Sequence, residues 1–367
     1  MNLVSGTYYS LPRRNLAPTQ MAELIEATQA EGFFHLAAAK DSRVKALRQH
    51  FSTTPVRKIW FSNNLGGFAF SLPGVETGVL DKDFFSEPDL HANAAKRALL
   101  ADCIVISNNN DLAAQVEPNP FSLFYGACDT TVFIAWDWDN HHWLDLSTFL
   151  AAHSDLYAPA HHENLYLLSR YNWLTCGPVY CATVQWPRSY LADKLGAMLA
   201  TARSNDPLGK HIPYGQFAFR MRVVSTLSQS IASIGFSDRN FHNRSRDDRA
   251  QEWYSHKLHW IVPVLNDVPI RIFDALATGG IPVVPESMRL LPCVATIPRE
   301  HILFYGPMDI VEPGALIARG NALFDAGGAE QIAARHRYAL EQHHGDTRVR
   351  QMLAAVREVF GIALPGA

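Results

Sequence analysis

One stretch constrains the fold more than any other: Val264-Leu-Asn-Asp-Val-Pro-Ile-Arg-Ile-Phe-Asp-Ala-Leu-Ala-Thr-Gly-Gly-Ile-Pro-Val-Val284. An apolar run from His259 to Leu265 reads as a strand, and Asn266-Asp267 as a polar loop. Pro269 to Thr278 reads as a helix stopped by Gly279-Gly280, and Ile281 to Val284 as the next strand. The same alternation recurs along the chain. Lys58–Phe61, Cys103–Ser107 and Thr131–Trp136 are short, β-branched or aromatic runs, with helical patterns over Pro18–Gly32 and His91–Ala101 around them. Strands alternating with helices predict parallel sheets covered by helices on both faces.

Length then sets the number of domains. The 367 residues suit two. Ser189–Arg203 reads as a helix, and the polar, Pro- and Gly-bearing Ser204–Gly209 after it predicts a boundary. The expected division is an N-terminal domain over 1–204, a second over 205–345 and a helical segment over 346–367. A further helical pattern runs from Phe217 to Ile234, a strand is expected at His301–Tyr305, and the tail from Ala329 to Phe360 reads as helix broken near Gly345.

Composition excludes several classes. At 48% hydrophobic and 18% charged, the chain is not disordered. A net charge of -3 argues against a general nucleic-acid binder and leaves a local basic groove open. The five cysteines are odd in number, irregular in spacing and without a CxxC pair, so neither a zinc ribbon nor a disulfide framework is expected. No signal-peptide pattern and no apolar run of about 18 residues is present, which predicts a cytoplasmic protein, with peripheral contact at the inner membrane left open.

Parallel sheets bind ligands beyond the carboxyl ends of their strands, and a helix N-terminus there offers free N–H groups to an anion. By that rule Asn266, Arg271 and Asp274 are candidate ligand contacts, and Gly279 and Gly280 allow close backbone approach. The bland alternative is a capped helix in an ordinary βαβ unit. Lys210, Arg220 and Lys257 are candidate partners for phosphate or carboxylate oxygens, against the plain reading of solvated cations. The run Asp137-Trp138-Asp139, with His141, His142 and Asp145 behind it, has the oxygen-ligand spacing of a divalent-metal site. Its plain reading is a polar strand-end loop. Asn63–Gly67 and Asn108–Asp111 each follow a strand and carry the same ambiguity; GxGxxG is absent. His161-His162 adjoins Glu163, whereas His343-His344 is expected to be exposed.

The run Asp274-Ala-Leu-Ala-Thr-Gly-Gly-Ile-Pro-Val-Val284 resembles the donor-binding helix of GT-B glycosyltransferases. The resemblance implies two Rossmann-like domains in a modified GT-B arrangement, with the active site in the interdomain cleft. Asp274 falls where that fold puts a carboxylate on the nucleotide ribose. Asn266 stands where many retaining members carry Glu, which leaves the leaving group to be handled differently. Over residues 205–310 the order of features is similar to bacterial retaining β-Kdo transferases of O-antigen, lipopolysaccharide and capsular polysaccharide synthesis. That likeness implies transfer of Kdo from CMP-β-Kdo to a polysaccharide by double displacement through an aspartate.

Within that family the candidate nucleophile is Asp238 of Gly235-Phe-Ser-Asp-Arg239, and the acceptor-side carboxylate is Glu163. Asp238 capping a turn or pairing with Arg239 is the plain reading. A ketosugar carboxylate calls for cations, and Arg239, Arg244, Arg246 and Arg249 lie close by. The donor set is then Lys210, Arg220, Arg239, Lys257, Asn266, Arg271, Asp274, Gly279 and Gly280. The acceptor set is Trp138, Asp139, His141 and His162. No metal and no cofactor beyond the nucleotide-sugar donor are implied. Expected partners are that donor, a glycan acceptor (lipid-linked among the alternatives) and other polysaccharide-synthesis enzymes. Three alternatives stay open: a UDP-, GDP- or dTDP-sugar donor, a non-catalytic glycan- or nucleotide-binding protein, and a metal-dependent Asp-x-Asp enzyme.

Overall fold

The computed structural model describes residue 23 and residues 37–86, 94–113, 121–138, 144–169, 172–237, 244–265 and 267–364. The helix pattern at Pro18–Gly32 lies almost wholly outside these. The chain forms two compact units, residues 1–180 with 348–367 and residues 181–347.

The first unit is a five-stranded, fully parallel sheet. Its strands are β1 (Lys58–Phe61), β2 (Glu76–Val79), β3 (Cys103–Asn108), β4 (Val132–Asp137) and β5 (Leu156–Pro159), in the order β2-β1-β3-β4-β5. β3 and β4 are buried at every position, which is why they read as unbroken apolar runs in the sequence. β2, at the edge, is half-exposed and is guarded by the Lys58–Glu76 ion pair at 2.6 Å. The helices are α1 (37–51), α2 (Ala94–Leu100), α3 (Asn109–Ala113), α4 (Phe121–Ala127), α5 (Leu144–Ala152) and α6 (His162–Leu168). Under them Phe85, Phe121, Phe124 and Phe133 pack edge to face.

The second unit opens with α7 (Arg188–Ala200), then β6 (Gly209–His211), α8 (Ala218–Leu227), β7 (Ile234–Phe236), α9 (Arg246–Tyr254), β8 (Leu258–Trp260), α10 (Ile270–Ala277), β9 (Ile281–Pro285), α11 (Pro292–Ala295), β10 (Leu303–Tyr305), α12 (Pro307–Val311) and α13 (Gly314–Gln342). β8, β9 and β10 form one parallel ladder, and β6 and β7 another. A parallel bridge at Leu208↔His259 joins them, giving the order β7-β6-β8-β9-β10. Within each unit the strands therefore run 2-1-3-4-5, the doubly wound order, and both units are Rossmann-like. Pro282 is tolerated inside β9 because β10 begins to pair only at Val283, one residue beyond the missing N–H.

The boundary expected at 204/205 and the compact units differ. Residues 181–204 pack with the second unit: α7 lies along α13, and the Arg203 guanidinium donates to the carbonyls of His256 and Thr278 at 3.2 and 3.0 Å. The last helix, α14 (Gly345–Phe360), begins after the expected break near Gly345, and its residues from Arg348 belong to the first unit. There Val359 O accepts from Arg48 and Arg350 lies over Phe70. All five cysteines are free. Among the described residues no helix is long and apolar enough to cross a membrane, and no group of three His, Cys, Asp or Glu could hold a metal ion.

Candidate functional site

In a 2-1-3-4-5 sheet the chain leaves the first and third strands in opposite directions, and the crevice between their carboxyl ends is the usual place for a ligand. In the second unit this is the junction of β6 and β8. The two strands are tied only at their start, where Leu208 donates to Leu258 O and accepts from the Trp260 N–H. Beyond that the ladder opens and side chains take over its backbone groups. The Val262 N–H donates to His211 Nε2 at 2.9 Å. Arg220 Nε donates to Val262 O at 2.9 Å and its Nη1 to Ile212 O at 2.7 Å. Lys210 O accepts from Arg271 Nη1. The apolar run stops being strand at Trp260, five residues before the expected end: the Ile261 N–H still bonds Val283 O, but the Val262 backbone groups bond imidazole and guanidinium instead of a neighbouring strand.

The result is a cationic knot with little to neutralise it. Arg271 is brought down to about 10 by burial and by the neighbouring Arg220, partly offset by Asp274, Tyr214 and Asp267. Burial lowers Arg220 as well, against Asp267, Tyr214 and Tyr305. His211 is held well below the usual imidazole value by burial, then by Arg271 and Arg220, so it is neutral. Since Nε2 accepts, Nδ1 carries the proton, and that buried N–H has no hydrogen-bond partner among the described residues. α10 starts here from Pro269 with no side-chain cap, which leaves its first N–H groups at the same edge. A pocket in the split is lined by Gly209, Lys210, Glu252, Trp253, His259 and Arg271. Its wall includes the His259 ring stacked on Trp253 at 4.7 Å.

The other donor candidates fall differently. Asp274 is fully buried and accepts from Gln185 Nε2 at 2.6 Å, so its carboxylate faces the protein and not a ribose. Burial raises it to about 7 against the hydrogen bonds of Gln185 and Thr183 and the charges of Arg271 and Arg249. Lys257 precedes β8 at the amino edge of the sheet and pairs with Asp325 at 2.7 Å. Gly279 and Gly280 also lie at the amino edge, between α10 and β9. Gly279 has φ +75°, and a Cβ there would meet Ile332; on Gly280 it would meet the His259 ring at 2.4 Å. These glycines serve a helix stop and close packing, which corrects the expectation that they approach a ligand. Asp238, Arg239 and Asn266 lie outside the described residues.

In the first unit the corresponding edge is polar, with the Asp111 carboxylate between its loops. The Asn108 N–H donates to Ser62 Oγ at 2.8 Å and the Asn64 N–H to Asp111 Oδ2 at 2.9 Å, which brings together the two Asn-rich loops singled out from sequence. Asp137 is fully buried and accepts from Tyr157 Oη at 2.6 Å, and Asn164 Nδ2 donates to that same hydroxyl. The first carboxylate of the Asp-x-Asp run is therefore engaged inside the fold. Asp139, His141 and His142 lie outside the described residues.

Trp138 is half-buried, donates its N–H to Asn109 Oδ1 at 2.9 Å and meets Trp136 edge to face. His161 bonds Trp138 O at 3.0 Å and is lowered to about 4 by burial. His162 bonds Tyr180 Oη at 2.7 Å, and Glu163 is exposed in the first turn of α6. His343-His344, expected to be exposed, is buried. His343 stacks on Phe273 at 4.3 Å, and His344 Nε2 bonds Trp186 O. His211, Gln185, Tyr157 and Asn164 were not singled out from sequence. Only His211 had a signal, a polar residue beside Lys210 just before a loop.

No protein-family model matches the chain, and no curated protein does. Among solved structures it is similar to a sucrose-phosphate synthase from Thermosynechococcus elongatus, with TM-score 0.46 and 11% identity over 83% of this chain and 99% of that one. It is also similar to an alpha,alpha-trehalose-phosphate synthase (UDP-forming) from Burkholderia vietnamiensis, with TM-score 0.44 and 11% identity over 83% of this chain and 100% of that one.

Proposed function

We propose that this protein is a GT-B glycosyltransferase whose second unit binds the anionic end of a nucleotide sugar at the β6–β8 split. The observation that carries this reading is the knot of His211, Arg220 and Arg271. Two guanidiniums are fixed by backbone carbonyls instead of carboxylates, beside a neutral imidazole with an unspent N–H and an uncapped helix start. Such a preorganised excess of donors suits phosphate oxygens. The polar, aromatic edge of the first unit, with Trp138, His162 and Glu163, suits a glycan hydroxyl acceptor. The finer proposal is Kdo transfer from CMP-β-Kdo with retention, Asp238 attacking the anomeric carbon; it rests on the sequence resemblance.

A second reading, a non-catalytic nucleotide- or glycan-binding protein, draws support from the buried, internally bonded Asp274. A thermal-shift panel with CMP, UDP, GDP and dTDP, with Mg²⁺ or EDTA, tests the donor. A ligand at about 100 times its Kd stabilises by roughly 2.7 kcal/mol. The Kdo proposal expects a CMP-selective, EDTA-insensitive shift, slow CMP-Kdo hydrolysis without acceptor, and loss of transfer with CMP binding kept in Asp238→Asn. A shift from another nucleotide alone removes Kdo, and binding without any hydrolysis or transfer favours the second reading.

A further inference from the structure

The carboxyl edge of the second unit holds one more arginine that the knot does not use. Arg249, in the first turns of α9, donates from Nη1 to Gln185 Oε1 at 3.2 Å. Gln185 in turn donates from Nε2 to Asp274 Oδ2 at 2.6 Å. We infer that Arg249 is a further anion-binding group of this unit, held in place by Gln185 and Asp274 acting as positioning residues. The inference rests on the donor-site reading of the β6–β8 split and adds to it a residue and its support.

The charge of Arg249 is not consumed by its own helix. Each carboxylate of α9 is engaged elsewhere: Asp247 with Lys194 and Tyr190, Asp248 with Ser245, and Glu252 with Arg244. Arg249 therefore has no ion-pair partner on its own helix. Its direct partner is a neutral amide, and its buried Nε has no hydrogen-bond partner among the described residues. Asp274 on α10, beyond the amide, feels the charges of both Arg271 and Arg249. Gln185 has both ends of its amide committed, so its orientation is fixed: oxygen toward the cation, nitrogen toward the carboxylate.

Its segment is clamped as well. The Thr183 N–H bonds His343 O, Trp186 Nε1 bonds Arg246 O at 3.3 Å, and His344 Nε2 bonds Trp186 O at 3.0 Å. A guanidinium pinned at one nitrogen by an amide, with its Nε unpaired among the described residues, matches an oxyanion. That oxyanion is a phosphate or a sugar carboxylate of the donor.

The test is calorimetric titration of the full chain with inorganic pyrophosphate and, separately, with free Kdo, which carries a carboxylate and no phosphate. Arg249→Gln is expected to weaken one of the two by about tenfold. Loss for pyrophosphate assigns the phosphate, and loss for Kdo assigns the carboxylate. Gln185→Glu places a carboxylate against Arg249 and consumes its charge, so it is expected to weaken the same probe by a similar factor. A merely structural Gln185 would move the melting temperature and leave that affinity alone. Arg249→Lys, which keeps the charge, covers the case of a poorly folded Arg249→Gln and is expected to recover part of the affinity. If Arg271→Gln abolishes binding while Arg249→Gln and Gln185→Glu bind both probes like wild type, this inference fails and the donor-site reading stands. If the wild-type chain binds neither probe nor any nucleotide, both fail.

Discussion

Asp274 is where sequence and structure part most clearly at the scale of one residue. Its place in the Asp-Ala-x-Ala-x-Gly-Gly run marks it as a ligand contact, yet the folded chain turns it inward onto Gln185. Spacing along a helix was legible; which way that helix face points was not, because that depends on Gln185, 89 residues away in sequence. Burial holds its folded pKa near 7 against 3.8 for the free group, so between those values the folded state holds a proton that the unfolded state has released. Stability from this group is therefore lost as pH rises from about 4 to 7, by about 4 kcal/mol at full extent. Asp274→Asn is expected to be more stable than wild type at pH 8, with the advantage shrinking toward zero at pH 4. Denaturant melts at the two pH values check it; a pH-independent difference would contradict it. Gly280 is the other residue-scale case. Gly280→Ala forces a methyl against the His259 ring and is expected to cost about 1–3 kcal/mol in denaturant melts. An unchanged stability would contradict the close packing of Gly280 on that ring.

Among the elements, the long buried strands were the easiest to read. β3 and β4 are continuous apolar runs because helices cover both their faces. β6 and β7 are three residues each, too short to show a period, and β6 is Gly-Lys-His. Their strand character comes from neighbours, not from propensity, so the split between β6 and β8 had no trace in the sequence. α9 is the element that brings Arg249 to the carboxyl edge, and its start depends on Ser245, whose hydroxyl accepts the Asp248 N–H at 3.0 Å. Ser245→Ala is expected to lower stability by about 1 kcal/mol. It should also raise local amide exchange over the first turn of α9; an unchanged exchange rate there would show that packing alone sets the helix start.

On the scale of the whole molecule, two units with the same strand order carry opposite characters at the same topological place. The first presents Ser62, Asn108 and Asn109 with the Asp111 carboxylate, an edge of amides and hydroxyls that carries negative charge. The second presents His211, Arg220, Arg271 and Arg249. Under the proposed function, charge and not topology is what points the anionic ligand to the second unit. Amide hydrogen exchange of the intact chain with and without saturating CMP or UDP tests that assignment most directly. Slower exchange is expected in residues 208–216 and 260–272, with residues 62–65 and 108–113 unaffected. Protection of the first unit's edge, with none at the β6–β8 split, would contradict it.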